Sequence, residues 1–260
     1  MDNHRMLNER AWDLEVEKGN HWTRPVSSRS IDKARGGCIE MTLTPNRLVP
    51  ASWCERLGRD VLALASGGGQ QGPLIAASGR NVTVLDLSSR QLEQDERTAE
   101  ANGLSLRTVK ADMADLSAFG DGSFDSVVNP VSLNFHPDID EVYSQVHRVL
   151  RPSGVFMFAV ANPIMYMFDV GKLEKGRMKI RYTLPFSSQG SLSPAQRRRM
   201  ARRGDTFEYS HTLETIIGHL CRTGFSIIDF YSDTSDFEPV DSYVQDCYIA
   251  MLCIKTDDPA

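Results

Sequence analysis

At 260 residues, with 41% hydrophobic and 24% charged side chains, the chain has the composition of an ordinary folded protein and room for one large domain, which argues against wholesale disorder. Its net charge of −5 counts against a nucleic-acid binder, whose phosphate affinity comes from a basic surface. The charged N-terminus lacks the apolar stretch of a secretory signal, no apolar run approaches a membrane span, and five scattered cysteines have no metal-site spacing, so the expectation is a cytoplasmic protein with reduced thiols, no membrane span and no metal.

Residues 1–58 read as helices and loops, an N-terminal extension or cap to a main domain over 59–260. The stretch NERAWDLEVEKGNHWT carries Trp12 and Trp22, which either staple the extension to the core or line a substrate pocket. Strands are predicted at DVLALAS (60–66), NVTVLDLS (81–88), LRTVKAD (106–112), FDSVVNP (124–130) and GVFMFAVANP (154–163). Helical spacing fills 88–103, capped by Ser88 or Ser89 and ended by Asn102-Gly103, and 138–154, capped by Asp138 and stopping near Arg151-Pro152. Residues 162–211 interrupt the alternation as an inserted cap. Within it RRRMARR (197–203) follows a helix start at Ser193-Pro194 and reads as a solvated basic face. A helix at 212–224 precedes FSIIDFYSD and SYVQDCYIAMLCIK, two successive extended segments that predict a terminal antiparallel hairpin. The alternation as a whole predicts an α/β, doubly wound, mostly parallel sheet with helices on both faces.

In such a sheet ligands bind at the carboxyl ends of the strands. The first strand delivers SGGGQQG to that edge, where glycine allows a sharp bend and close approach of a ligand to the main chain. The second ends at Asp86, placed to accept hydrogen bonds from a ribose diol. Gly67, Gly69 and Gly72 satisfy G-x-G-x-x-G, so an NAD-linked oxidoreductase is a rival on this pattern alone. The third strand closes on KADMADL, putting Asp112 where it can hydrogen-bond an adenine amino group, and the fourth closes on NPVSLNFH.

With RVLRPSG (148–154) added, the chain resembles the class I S-adenosylmethionine-dependent methyltransferases, in particular the small-molecule group that includes the ubiquinone and menaquinone methyltransferases. VLALASGGG stands for the family's VLDLGCGTG, VTVLDLS for its second-strand acidic motif, KADMADLSAFGDGSFDSVV for its third- and fourth-strand region, and RVLRPSG for RVLKPGG. The resemblance covers roughly 58–163 and extends to a bacterial subgroup with N-terminal AWD…WTRPVS and a late SHTLE. The family's first-strand acid is Ala63 here and its first glycine is Ala65, which leaves Gln70 or Gln71 to supply polar contacts.

The resemblance implies a Rossmann-like domain with a seven-stranded sheet and methyl transfer from S-adenosyl-L-methionine to a small-molecule acceptor. The cofactor supplies the electrophile and the protein supplies alignment, so a dedicated base is optional. The implied cofactor contacts are Ala65, Ser66, Gly67, Gly69, Gln70 and Gln71 for the methionine portion, Asp86 for the ribose, Leu87, Asp112 and Met113 around the adenine, Asn129 near the transfer point, and Gln91 as a further contact. Asn134, Phe135 and His136 follow in the next loop. His136 is the first choice of base, Tyr209 and His211 the second, and Trp12, Trp22, Asn134 and Phe135 are acceptor-contact candidates. A non-catalytic nucleoside-binding module and an RNA methyltransferase are the further rivals.

Overall fold

The computed structural model describes residues 4–235 and 237–256. Three helices come first, α1 (His4–Lys18), α2 (Ser28–Arg35) and α3 (Ala51–Cys54). An alternation follows of β1 (Asp60–Leu64), α4 (Gln71–Ala77), β2 (Asn81–Asp86), α5 (Ser89–Ala101), β3 (Arg107–Lys110), β4 (Phe124–Asn129), α6 (Ile139–Val149) and β5 (Leu150–Ala161), and the chain closes with β6 (Phe225–Asp233) and β7 (Tyr248–Lys255). These strands form one seven-stranded sheet in the order β3-β2-β1-β4-β5-β7-β6. β1 to β5 are parallel, and β7 runs antiparallel to both β5 and β6.

The alternation of side chains along the strands builds two apolar layers. Val61, Ala63, Val84, Val128 and Met157 face α2 and α4, whereas Leu62, Leu64, Leu85, Val127, Phe156 and Phe158 face α6 and the later helical residues Ile216 and Leu220. Ala63 is therefore interior to the first layer, where a carboxylate would be buried among hydrocarbon.

The helix signals act as expected. Ser88 Oγ accepts from the Gln91 amide, Asp138 accepts from the Asp140 amide, and Ser193 and Gln196 form a reciprocal capping box that ends at Gly204 with φ 73°. Three features differ from the sequence expectation. α6 stops at Val149, and β5 begins immediately at Leu150. The helix expected over 212–224 opens as a π-helix, Glu214–His219, before Leu220–Arg222. β7 begins at Tyr248 instead of 242, because Glu238–Asp241 forms a helical turn whose Val240 packs with Phe168, Leu173 and Cys247 in a small separate core. The terminal hairpin also enters the sheet in reversed order. Apolar β7, buried over Ala250–Cys253, takes the interior position, and β6, with Ile228 and Phe230 exposed, takes the edge.

Among the described residues no helix is long and apolar enough to cross a membrane. The strand order reverses between β1 and β4, and the loops at that carboxyl edge are roofed by α1 and by parts of residues 162–211.

Candidate functional site

A cavity of about 270 Å³ runs along this edge. Its wall follows the sheet: Asp112 and Met113 after β3, Asp86 and Leu87 at the end of β2, Ala65, Ser66 and Gly67 after β1, Pro130 to Ser132 after β4, Ala161 at the end of β5 and Tyr248 at the start of β7. Asn8 and Trp12 of α1 close it from above.

The turn after β1 shows why its residues are small. Ala65 sits at φ 45°, in the left-handed region that glycine enters freely, and its amide still reaches Leu85 O at 2.7 Å. A Cβ on Gly67 would stand 2.6 Å from Gln91 Cβ and 3.0 Å from an Asp86 oxygen. That close approach lets the Gly67 amide donate to Asp86 Oδ2 at 2.9 Å, while the Ser88 amide donates to Oδ1 at 2.9 Å. Asp86 is 7% exposed, and burial pushes its carboxyl up to about 6 against the pull of those amides. A buried carboxylate with spare lone pairs at a cavity wall is suited to hydroxyl donors such as a ribose diol.

Asp95 of α5, which the sequence reading missed, separates the two nucleoside readings. It is fully buried, accepts from the Gly68 amide at 2.9 Å and also from the Gly69 amide, and burial holds its carboxyl well above the usual range. The glycine amides that a dinucleotide site turns toward a pyrophosphate are here taken by a carboxyl group of the chain itself. Gly69 lies behind the turn, its carbonyl accepting from Val26 N, and is outside the cavity wall.

Gln70 and Gln71 reach the wall, but their amide nitrogens are used elsewhere. Gln70 Nε2 donates to the carbonyls of His21 and Arg24, and Gln71 Nε2 to that of Thr42, so both fasten the N-terminal segment to the turn. Gln71 Oε1 accepts from Ser66 Oγ at 3.2 Å. Asn129 is also placed differently from expectation. It is fully buried and donates to Leu64 O and Ser132 Oγ, bracing β1 against the loop after β4 instead of lining the cavity.

At the β3 end, Asp112 Oδ2 is 2.8 Å from Arg5 Nε, and Oδ1 accepts from the Ala114 amide. His136 belongs to the loop after β4 yet lies against Asp112, 3.6 Å from Oδ1, with its Nδ1 2.6 Å from Asp138 O. It therefore stands beside the proposed adenine edge, at the far end of the wall from β5. Its edge also meets His4, with ring centroids 5.6 Å apart.

At the β5–β7 end the wall is made by Tyr166, Glu208 and Tyr248, none of them singled out from sequence. Tyr166 OH donates to Glu208 Oε2 at 2.9 Å and Thr206 Oγ1 to Oε1 at 3.0 Å. Burial raises the proton affinity of both Glu208 and Tyr166. Only their convergence from residues 166 and 208 into one cavity marks them, and local sequence carries no signal for that.

Of the other candidates, Trp12, Trp22, Asn134 and Phe135 reach the cavity, Trp12 packing edge-on against Phe135 at 5.2 Å. Tyr209 and His211 do not. The Tyr209 amide donates to Asn134 O, and His211 Nε2 lies 3.2 Å from Leu133 O, so both support the loop that carries Asn134 from behind.

Residues 62–158 match a family model described as a methyltransferase domain. The chain is 38% identical over 249 residues to Uncharacterized methyltransferase YbaJ of Bacillus subtilis, spanning 95% of this chain and 97% of that protein. Among solved structures it is similar to an S-adenosylmethionine dependent methyltransferase from Mesorhizobium loti (TM-score 0.59, 19% identity, 78% of this chain and 96% of that one). It is also similar to 1,6-didemethyltoxoflavin-N1-methyltransferase of Burkholderia thailandensis, solved with bound 1,6-didemethyltoxoflavin and S-adenosylhomocysteine (TM-score 0.59, 16% identity, 97% of this chain and 88% of that one).

Proposed function

The chain belongs to the class I S-adenosylmethionine-dependent methyltransferases, and from that premise we propose that it methylates a small molecule held over β4, β5 and β7, beneath α1 and the segment 162–211. The observation that carries this reading is the combination at the switch point of a buried Asp86 facing the cavity and a glycine turn whose amides are already bound by Asp95. That combination suits a nucleoside without a pyrophosphate.

When bound, the cofactor supplies a methyl group already activated by its sulfonium. On our reading Asp86 accepts from the ribose hydroxyls, Leu87 and Met113 cover the adenine, Asp112 takes its amino group, and Ala65, Ser66, Gly67 and Gln91 shape the rest of the nucleoside and methionine pocket. Occupation of the adenine edge requires the Arg5 guanidinium to share Asp112. α1 keeps water from the reacting groups and holds the acceptor in line, the contribution worth roughly 7–11 kcal/mol in well-oriented reactions.

Proton transfer falls to Glu208 rather than His136. Glu208 stands at the acceptor end of the cavity, whereas His136 is committed to Asp138 and Asp112 at the opposite end. Its carboxylate receives, at one oxygen, the proton that an O–H or N–H acceptor releases as the new bond to carbon forms, and Tyr166 keeps hold of Oε2.

Titration calorimetry with S-adenosylmethionine, S-adenosylhomocysteine, NAD and NADP tests the cofactor half of this reading. Saturable binding of the first two alone is expected. Binding of the dinucleotides in their place would reassign the glycine turn and Asp86 to a redox site.

A further inference from the structure

Three potential ligand atoms from three separate segments converge where α1, the end of β3 and the loop after β4 meet. One ring nitrogen of His4, one of His136 and a carboxylate oxygen of Asp112 all lie within 4.8 Å of one another. His136 Nδ1 is 2.6 Å from the Asp138 carbonyl, which can only accept, and the tautomer that satisfies this contact carries the ring proton on Nδ1 and a lone pair on Nε2. The Asp138 amide also approaches the same nitrogen, at 3.2 Å, a contact that the other tautomer would satisfy, so an ion on Nε2 would select the first. In that tautomer Nε2 faces Asp112 Oδ1 at 3.6 Å, acceptor against acceptor. On His4, Nε2 is buried and without a hydrogen-bond partner.

The same three residues, together with Arg5, form the partition between two cavities. On one side is the nucleoside cavity. On the other is a second cavity of about 300 Å³, also lined by Asp115, Asp138 and Glu141, which offers a separate approach to the three residues through an acidic vestibule. Among the described residues lining this second cavity the one Lys or Arg is Arg5, which engages the opposite oxygen of Asp112 and is outnumbered by those carboxylates.

We propose that His4, Asp112 and His136 bind one divalent first-row transition ion of the zinc type. Two imidazoles and one carboxylate favour such ions over magnesium or calcium, which take oxygen ligands. Three protein ligands leave a coordination position open, and the Asp138 carbonyl supplies the outer hydrogen bond that fixes the His136 tautomer. Bonds of about 2.0–2.1 Å draw the ligand atoms closer together than they stand, a movement open to the half-buried His4 side chain in the first turn of α1. The ion pins the start of α1 to the β3 edge of the sheet. This inference shares Asp112 with the methyl-transfer reading, but binding of the ion needs neither cofactor nor acceptor and is tested without them.

The test is titration of chelator-stripped protein with Co²⁺, followed by its visible absorption, and with Zn²⁺ by calorimetry, both without nucleoside. Saturation at one equivalent is expected, with affinity at least tenfold weaker in His4→Ala, His4→Gln and Asp112→Asn and unchanged in His21→Ala. Circular dichroism of each variant separates loss of ligand from loss of fold, and the half-buried His4 pair keeps the test open if Asp112→Asn misfolds. Absence of saturable binding, or equal binding by folded His4 variants, overturns the site.

Discussion

Asp86 is subject to two opposed demands. Burial lifts its carboxyl to about 6, so between the ordinary aspartate value and pH 6 the folded chain binds this proton more tightly than the unfolded chain does. The ionised form therefore costs stability above pH 6, and that cost is relieved as pH falls through 6 toward 4. Asp86→Asn removes the titrating group but sets an NH2 against one of the Gly67 and Ser88 amides, so its melting temperature, measured calorimetrically, should vary less between pH 5 and 7 than the wild type's, while S-adenosylhomocysteine binds more weakly. Asp86→Ala should lose about 1.5–3 kcal/mol of that affinity, the range for a hydrogen bond to a charged group. Wild-type affinity should fall as pH drops from 7 to 5 and should be flatter in Asp86→Asn; the same pH profile in both proteins would remove Asp86 from the ribose. Ala65 illustrates strain at a single residue. Its φ of 45° costs an L residue about 1–2 kcal/mol, part of which glycine would return as unfolded-chain entropy, so Ala65→Gly should gain at most about 1 kcal/mol in denaturant unfolding. Glu208→Gln preserves an acceptor for Tyr166 OH but removes the base, and should lower kcat with little change in KM for any acceptor that turns over; an unchanged kcat would return proton removal to solvent.

At the scale of elements, α1 is held by specific polar contacts more than by an apolar face, since only Asn8 and Ala11 are buried. Asn8 pairs with the Phe207 backbone through both amide atoms, at 3.0 and 2.7 Å, and donates also to Phe135 O. Asp13 meets Ser88 Oγ at 2.6 Å, Glu9 meets Lys110, and Glu17 meets Arg90. Asn8→Ala removes three hydrogen bonds and strands the buried Phe207 amide, so a loss of about 2–4 kcal/mol is expected, together with faster proteolytic cleavage around α1. Cleavage at the wild-type rate would show that the exposed ion pairs suffice. The basic run needs no ligand to explain it. Helix Pro194–Arg203 has no buried residue, and charge reversal at exposed Arg198 and Arg199 should leave stability within about 0.5 kcal/mol. Elements such as α5 and α6 were legible because cap, apolar stripe and stop signal lie within one short segment. The start of β7 was not, because the turn before it is held by Val240 and Cys247 packing against distant Phe168 and Leu173.

For the whole molecule, the sequence by itself determined the parallel α/β core and the acidic residues at the ends of β2 and β3, and it pointed to the carboxyl edge where the cavity lies. These follow from periodicity and from short motifs whose parts are neighbours in the chain. It also carried Trp12, Trp22, Asn134 and Phe135 to the cavity through their places in segments bordering that edge. Tertiary structure alone decided the rest. β7 goes inside β6 because its buried face is the more apolar, a comparison between segments and not within one. Asn129, Tyr209 and His211 became supports because the packing turned their polar atoms to backbone carbonyls or sealed them from the cavity. Asp95 bonds the amide of Gly68, a contact across 27 positions that the glycine spacing does not encode. Glu208 with Tyr166, and His4 with His136 and Asp112, are likewise pairings across loops. Their chemistry exists only once the chain has closed, because a hydrogen bond or a ligand set depends on distance in space, and local pattern reports only distance along the chain.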